Sequence, residues 1–120
     1  MKLKLKNLLI VEDNLFIGKS VVNMAKEVSS IGDIRLINSL QEAMSILIET
    51  NFDLLILDLK LPDGNGIELL KWLKEKKIDT KVFVFSISKE LKKTALRYGA
   101  YAFFDKAKDA DELIEALKKA

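Results

Sequence analysis

The sequence predicts an α/β fold: a single five-stranded parallel sheet with five helices packed over its two faces. Three observations lead there. Apolar runs at Leu8 to Val11, Leu54 to Leu57 and Val82 to Phe85 show no alternation, as expected of strands buried on both sides. Segments with apolar residues at helical spacing separate the strand-like runs. The two patterns take turns along the whole chain, so right-handed crossovers leave the carboxyl ends of all strands on one edge.

Taken in order, Leu8 to Val11 forms the first strand. Asn14 or Asp13 suits the N-cap of a helix running to about Ser29, with Val21, Met24, Ala25 and Val28 facing inward. Ile34 to Ile37 is a weaker strand, and Arg35 between apolar neighbours places it at an edge with one wet face. Ser39-Leu40-Gln41-Glu42 reads as a capping box that opens a second helix to about Thr50. Leu54 to Asp58 is the third strand, followed by a loop containing Pro62, Gly64 and Gly66. Asn65-Gly66-Ile67-Glu68 caps a third helix whose inner face holds Ile67, Leu70 and Trp72 or Leu73. Val82 to Phe85 is a central fourth strand. Ser88 or Lys89 opens a helix ending near Tyr98, with Gly99 as the left-handed residue behind it. Tyr101 to Phe104 is the fifth strand. Asp109-Ala110-Asp111-Glu112 reads as another capping box, ahead of a helix carrying Leu113, Ile114 and Leu117.

Composition narrows the chemistry. A chain of 120 residues suits one domain, and 49% hydrophobic with 32% charged residues excludes a disordered or membrane composition. The net charge of +2 includes Lys2, Lys4 and Lys6 near the start, so the body is nearly neutral and no polyanion-binding surface is indicated. There is no Cys and no His, which excludes disulfides, thiolate or imidazole metal sites, and His-assisted nucleophiles. Any metal must be held by oxygen, which selects Mg²⁺, Mn²⁺ or Ca²⁺. The apolar run from Leu8 is halted by Glu12, too short for a signal-peptide core or a membrane span. The expectation is a soluble, cytoplasmic protein.

Functional groups cluster at the strand ends. The first strand ends in Glu12-Asp13, the third in Asp58 and the fourth in Ser86, while Asp105-Lys106 follows the fifth. In the predicted sheet these meet at the carboxyl edge, where open α/β sheets bind ligands. Each like-charge pair there costs on the order of 4 kcal/mol at about 4 Å and an effective dielectric near 20. A divalent ion and the Lys106 ammonium, or protonation of one acid, would offset that cost.

With these residues in place, the chain resembles a response-regulator receiver domain of two-component signalling, from Leu8 to Lys119. The resemblance rests on Glu12-Asp13, on Asp58 in Asp58-Leu59-Lys60-Leu61-Pro62-Asp63-Gly64-Asn65-Gly66, on Ser86 and on Lys106. It implies a flavodoxin-like fold with strand order 2-1-3-4-5. It implies that Asp58 takes a phosphoryl group from a phosphohistidine on a sensor histidine kinase or a histidine phosphotransfer protein. Glu12, Asp13, Asp58 and the backbone carbonyl of Lys60 would hold Mg²⁺, with Mn²⁺ as a substitute. Ser86 and Lys106 would bind the phosphoryl group, Ser86 and Phe103 would switch on phosphorylation, and Lys60 and Ser88 would tune dephosphorylation. The surface of the fourth helix, fifth strand and fifth helix, with Lys89, Lys92, Lys93, Arg97 and Asp111, would carry the signal.

Three departures from the family pattern stand out. Ala107 follows Lys106 where proline, often cis, is usual, so a trans peptide is expected. Ile87 is bulkier than the usual small residue, and together with Lys60 and Ser88 it predicts slow self-dephosphorylation. Phe103 lacks the hydroxyl of the common Tyr. The expected organisation is one receiver over residues 1–120 without an output domain: either a stand-alone regulator acting on a downstream partner or a receiver cut from a longer protein. It would be a monomer or a phosphorylation-linked dimer, without direct nucleic-acid contact or membrane insertion. The main alternative is a phospho-independent binding module. A flavin site would need a Ser/Thr/Gly-rich loop after the first strand, and a dehalogenase-like phosphohydrolase would need an acid where Lys60 stands.

Overall fold

The alternating patterns resolve into one parallel sheet in the computed structural model, which describes residues 4–120. In chain order the elements are β1 (Lys6–Val11), α1 (Leu15–Lys26), β2 (Ile31–Ile37), α2 (Leu40–Glu49), β3 (Leu54–Leu57), β4 (Lys60–Leu61), β5 (Gly64–Asn65), α3 (Gly66–Glu75) and β6 (Lys81–Ser86). A single 3-10 turn (Lys89–Leu91), α4 (Lys92–Arg97), β7 (Ala102–Asp105) and α5 (Ala110–Lys119) complete the chain. The sheet order is β2-β1-β3-β6-β7 with every neighbouring pair parallel. β4 and β5 form a separate antiparallel hairpin where the turn residues Pro62, Gly64 and Gly66 predict a plain loop. Without that hairpin, the order is the expected 2-1-3-4-5.

Successive strand residues point to opposite faces, which is why the central strands are apolar throughout. Leu8 and Ile10 of β1, Leu54 and Ile56 of β3, and Phe83 and Phe85 of β6 pack with Val21, Ala25, Leu113 and Leu117 of α1 and α5. Leu9, Val11, Leu55, Leu57, Val82 and Val84 face the other way, toward α2, α3 and Ala95 of α4. Each fully buried Leu, Ile or Phe contributes about 1.5–3 kcal/mol, so the two layers pin the strand register firmly. β2 lies at the edge, and Arg35 is exposed there as expected.

Element ends follow local hydrogen bonding. Asn14 caps α1 by accepting from Ile17 N–H at 3.0 Å, and Asn65 caps α3 by accepting from Ile67 N–H at 2.8 Å. Ser39 caps α2 by accepting from Glu42 N–H at 3.2 Å. α1 ends at Lys26, a turn earlier than its apolar spacing predicts, although Val28 is still buried. On α3 the inner residue is Leu73, with Trp72 half-buried, and Leu69 is also buried. Gly99 adopts φ +104, the left-handed conformation expected of it.

Two predicted caps do not form. Asp109 makes no side-chain bond to the start of α5. Its carboxylate instead accepts from the Asp105 N–H at 2.9 Å, because β7 runs one residue further than expected and brings that N–H within reach. Ser88 does not cap a continuous helix either: a 3-10 turn precedes α4, which is only six residues long.

The β4–β5 hairpin fastens the loop after β3 to two neighbours. Asp63 Oδ1 accepts from Leu40 N–H at 2.9 Å, and Oδ2 accepts from Gln41 N–H at 3.0 Å. Asp63 thus caps α2 from a distance, completing what Ser39 begins. These two N–H groups hold the Asp63 carboxyl below the ordinary aspartate range. At the far end of the hairpin, Gly66 N–H donates to Leu59 O at 2.8 Å. A Cβ on Gly66 would stand 2.8 Å from the Asp58 carbonyl oxygen and 3.0 Å from Leu59 Cα, so only glycine lets α3 begin there.

Two outcomes follow from this region. Gly66→Ala drives a methyl into backbone and is expected to lower stability by about 1–3 kcal/mol in urea unfolding; an unchanged midpoint would contradict the close approach. The Asp63 carboxyl is lowered by folding, so its contribution is complete above the unfolded pKa of about 3.9 and is lost as pH falls through the folded value. Asp63→Asn is therefore expected to be less stable at neutral pH and to show a shallower acid-side loss than wild type. Parallel pH profiles of the two proteins would count against the cap.

Candidate functional site

The parallel arrangement delivers the ends of β1, β3, β6 and β7 to one edge, and the predicted residues meet there. Glu12, Asp13 and Asp58 each place a carboxylate oxygen within 4.8 Å of the others. Glu12 and Asp58 are 5% and 4% exposed, whereas Asp13 is open to solvent. Lys106 reaches between the two buried acids, with Nζ 2.7 Å from Glu12 Oε1 and 3.0 Å from Asp58 Oδ2. The remaining oxygens are partly occupied by backbone. Asn14 N–H donates to Glu12 Oε2 at 3.1 Å, and Lys60 N–H donates to Asp58 Oδ1 at 3.3 Å.

Electrostatics follow from burial. Loss of water pushes the Glu12 carboxyl above its ordinary range; the Lys106 and Asn14 bonds oppose this, and the nearby Asp58 charge adds to it. Burial alone would lower the Lys106 ammonium, but the Glu12 and Asp58 carboxylates outweigh it and hold that pKa above the usual lysine value. Lys106 therefore stays charged between two acids. The donor set around the opening is all oxygen, as a hard divalent cation requires, and one ammonium does not neutralise three carboxylates. The residues present fit a magnesium-type ion.

The other predicted residues take distinct positions. Ser86 is fully buried at the end of β6, and its Oγ accepts from Ser88 N–H at 3.1 Å. Ser88 is also buried, with its Oγ making no hydrogen bond. Lys60 is exposed beside the acids on β4. Phe103 is half-buried against the layer formed with α2, α3 and α4. Ile87 is 59% exposed, so its bulk stands at the rim of the site and not in the core. No described peptide bond is cis, and the Ala107 N–H, which proline would lack, donates to Asp105 Oδ1 at 2.8 Å.

Asp105 departs from the expected gathering of acids. It does not join the three-carboxylate group. Ala107 N–H and the Lys89 ammonium hold its carboxyl below the ordinary aspartate range. Lys89 accordingly does not stand free on the outer surface; its Nζ lies 3.1 Å from Asp105 Oδ2. Asp63 is not legible as a structural residue from the sequence, because Pro62-Asp63-Gly64 looks like turn chemistry and its partners lie 22 and 23 residues earlier. Among the described residues no helix is long and apolar enough to cross a membrane.

Known proteins resemble this chain in sequence and fold. The family model for the response regulator receiver domain matches residues 8–118. The nitrate/nitrite response regulator NarL of Escherichia coli K12 is 29% identical over 118 residues, covering 94% of this chain and 53% of NarL. The transcriptional regulatory protein MalR of Bacillus subtilis is 34% identical over 113 residues, covering 92% of this chain and 48% of MalR. The chain thus spans about half the length of these curated relatives. Among solved structures, a DNA-binding response regulator of the LuxR family from Staphylococcus aureus superposes with a TM-score of 0.87 at 25% identity, covering 96% of this chain and 98% of that one. A CheY-like receiver domain from Methanospirillum hungatei gives 0.85 at 26% identity, covering 97% and 93%. Sheet order, acidic edge and family match agree: the chain belongs to the response regulator receiver domain family.

Proposed function

We propose that this domain is a phosphoacceptor switch in which Asp58 takes a phosphoryl group from a phosphohistidine on a sensor kinase or a phosphotransfer protein. The observation that carries the reading is the Lys106 ammonium lodged between Glu12 and Asp58 while Asp13 faces solvent beside them. One oxygen of Asp58 is oriented by Lys60 N–H and the other by Lys106. A carboxylate oxygen attacks phosphorus, the P–N bond to the donor imidazole breaks, and the imidazole nitrogen leaves with the electron pair. Mg²⁺, or Mn²⁺ in its place, held by Glu12, Asp13, Asp58 and the Lys60 carbonyl, would neutralise charge building on the phosphoryl oxygens.

Lys106 then exchanges its carboxylate partner for a phosphoryl oxygen. Ser86 Oγ already accepts from Ser88 N–H, which leaves its own proton free to donate to the new group. Phe103, without a hydroxyl to satisfy, follows Ser86 inward and reshapes the α4–β7–α5 surface for a downstream partner or an output domain. Such coupling is typically worth 1–3 kcal/mol. Ile87 at the rim, with Lys60 and Ser88, favours slow self-dephosphorylation. Leu15 and Phe16 stand 62% and 83% exposed at the start of α1 beside the acids, an apolar rim suited to docking the donor. The domain acts as a monomer or a phosphorylation-linked dimer, in the cytoplasm, without contacting nucleic acid itself.

The test is incubation with a small acyl phosphate or a phosphohistidine donor, read by intact mass. Wild type is expected to gain one phosphoryl group only with Mg²⁺, and Asp58→Asn none. Label persisting on Asp58→Asn would move the acceptor elsewhere; an unlabelled wild type would favour the phospho-independent binding module. Lys106→Ala is expected to slow labelling roughly 100-fold, the scale of losing one preorganised electrostatic stabiliser. A rate within twofold of wild type would remove Lys106 from the reaction.

A further inference from the structure

We propose that Lys89 and Asp105 form a charge clasp that holds the turn after β6 in its resting position and opposes its movement toward a phosphoryl group on Asp58. The inference rests on the phosphoacceptor reading above. Asp105 ends β7, is 5% exposed and stands opposite Ser86 in the parallel register. Its Oδ1 accepts from Ala107 N–H at 2.8 Å, and its own N–H donates to Asp109 Oδ2 at 2.9 Å. These bonds fix the carboxylate to the β7–α5 connection. Its Oδ2 is buried and lacks a hydrogen bond, but lies 3.1 Å from Lys89 Nζ as an ion pair.

Lys89 belongs to the other connection. Ser88 N–H donates to Ser86 Oγ, Lys89 N–H to Ile87 O and Leu91 N–H to Ser88 O, so residues 86–91 form one bonded turn. Movement of the Ser86 hydroxyl toward a phosphoryl group carries Lys89 with it. Asp105 stays behind, because Ala107 and Asp109 hold it. The pair must therefore stretch, and stretching draws the ion-paired ammonium away from a buried oxygen that has no hydrogen bond to replace it. The Lys89 side chain is 70% exposed, so water and not packing surrounds the stem that has to give way.

Simple charge effects predict something different. If Lys89 and Asp105 acted only through their fields, neutralising Lys89 would weaken binding of a phosphoryl mimic and neutralising Asp105 would strengthen it. A clasp predicts the same sign for both. The test titrates wild type, Lys89→Gln, Asp105→Asn, the double variant and Lys89→Arg with beryllofluoride and Mg²⁺, followed by amide NMR. Both single variants are expected to bind roughly threefold more tightly, the scale of an ion pair with one exposed partner. The double variant should gain no more than the larger single, and Lys89→Arg should match wild type. Opposite signs, or no change in either single variant, overturn the clasp. If wild type and Asp58→Asn respond alike to beryllofluoride, the phosphoacceptor reading fails. Amide exchange at Ser88 and Leu91 then decides the clasp: faster exchange in Lys89→Gln and Asp105→Asn but not in Lys89→Arg sustains it, and unchanged exchange overturns it.

Discussion

The contact on which the site depends is a lysine held between two buried carboxylates. Lys106 bridges Glu12 and Asp58, which come from different strands and sit close enough to repel. Without a cation between them, one acid would have to carry a proton or turn away. With it, both remain at the sheet edge, and Asp13 completes an oxygen cluster open to solvent. The arrangement is compact but incompletely neutralised. That imbalance is what suits it to a divalent ion.

Everything else in the fold serves to hold that edge still. The two apolar layers set the register of β1, β3 and β6, so Val11, Leu57 and Val84 lie level with one another, and Glu12 and Asp58 directly follow Val11 and Leu57. The hairpin after Asp58 is clamped twice, by Asp63 on the start of α2 and by the close approach of Gly66 to the Asp58 carbonyl. Such a clamp limits how far the backbone at Asp58 can move. The turn after β6 is different: it is short, opens into a 3-10 turn and leads to a helix of only six residues. Asp58 thus has a doubly clamped hairpin on one side and a short turn leading into a short helix on the other.

This chain also settles its β7–α5 connection in its own way. Ala107, unlike a proline, supplies an N–H, which binds Asp105, and Asp105 in turn attracts Lys89. One backbone N–H thus opens a small network joining the β7–α5 connection to the turn after β6. The same N–H bond explains why Asp105 does not crowd the three-acid cluster.

Much of this was legible in the residues alone. The unbroken apolar runs identify the buried strands, Arg35 marks the edge, and Asn14, Ser39, Asn65 and Gly99 mark helix ends, because these signals depend on neighbours a few positions away. The site was legible too, since parallel crossovers place every strand end on one edge and the acids and Lys106 lie at those ends. The partners of Asp63, Asp109 and Lys89 were not. Each has a good ordinary explanation, as a turn, a cap or a solvated lysine, that competes with the observed one; the partners of Asp63 and Lys89 are distant in sequence, and that of Asp109 lies four residues back, outside the helix it was expected to cap. Only the folded sheet decided between them, by bringing the N–H groups of Leu40, Gln41 and Asp105 and the buried oxygen of Asp105 within bonding distance, where an unmet polar group costs more than a lost local cap.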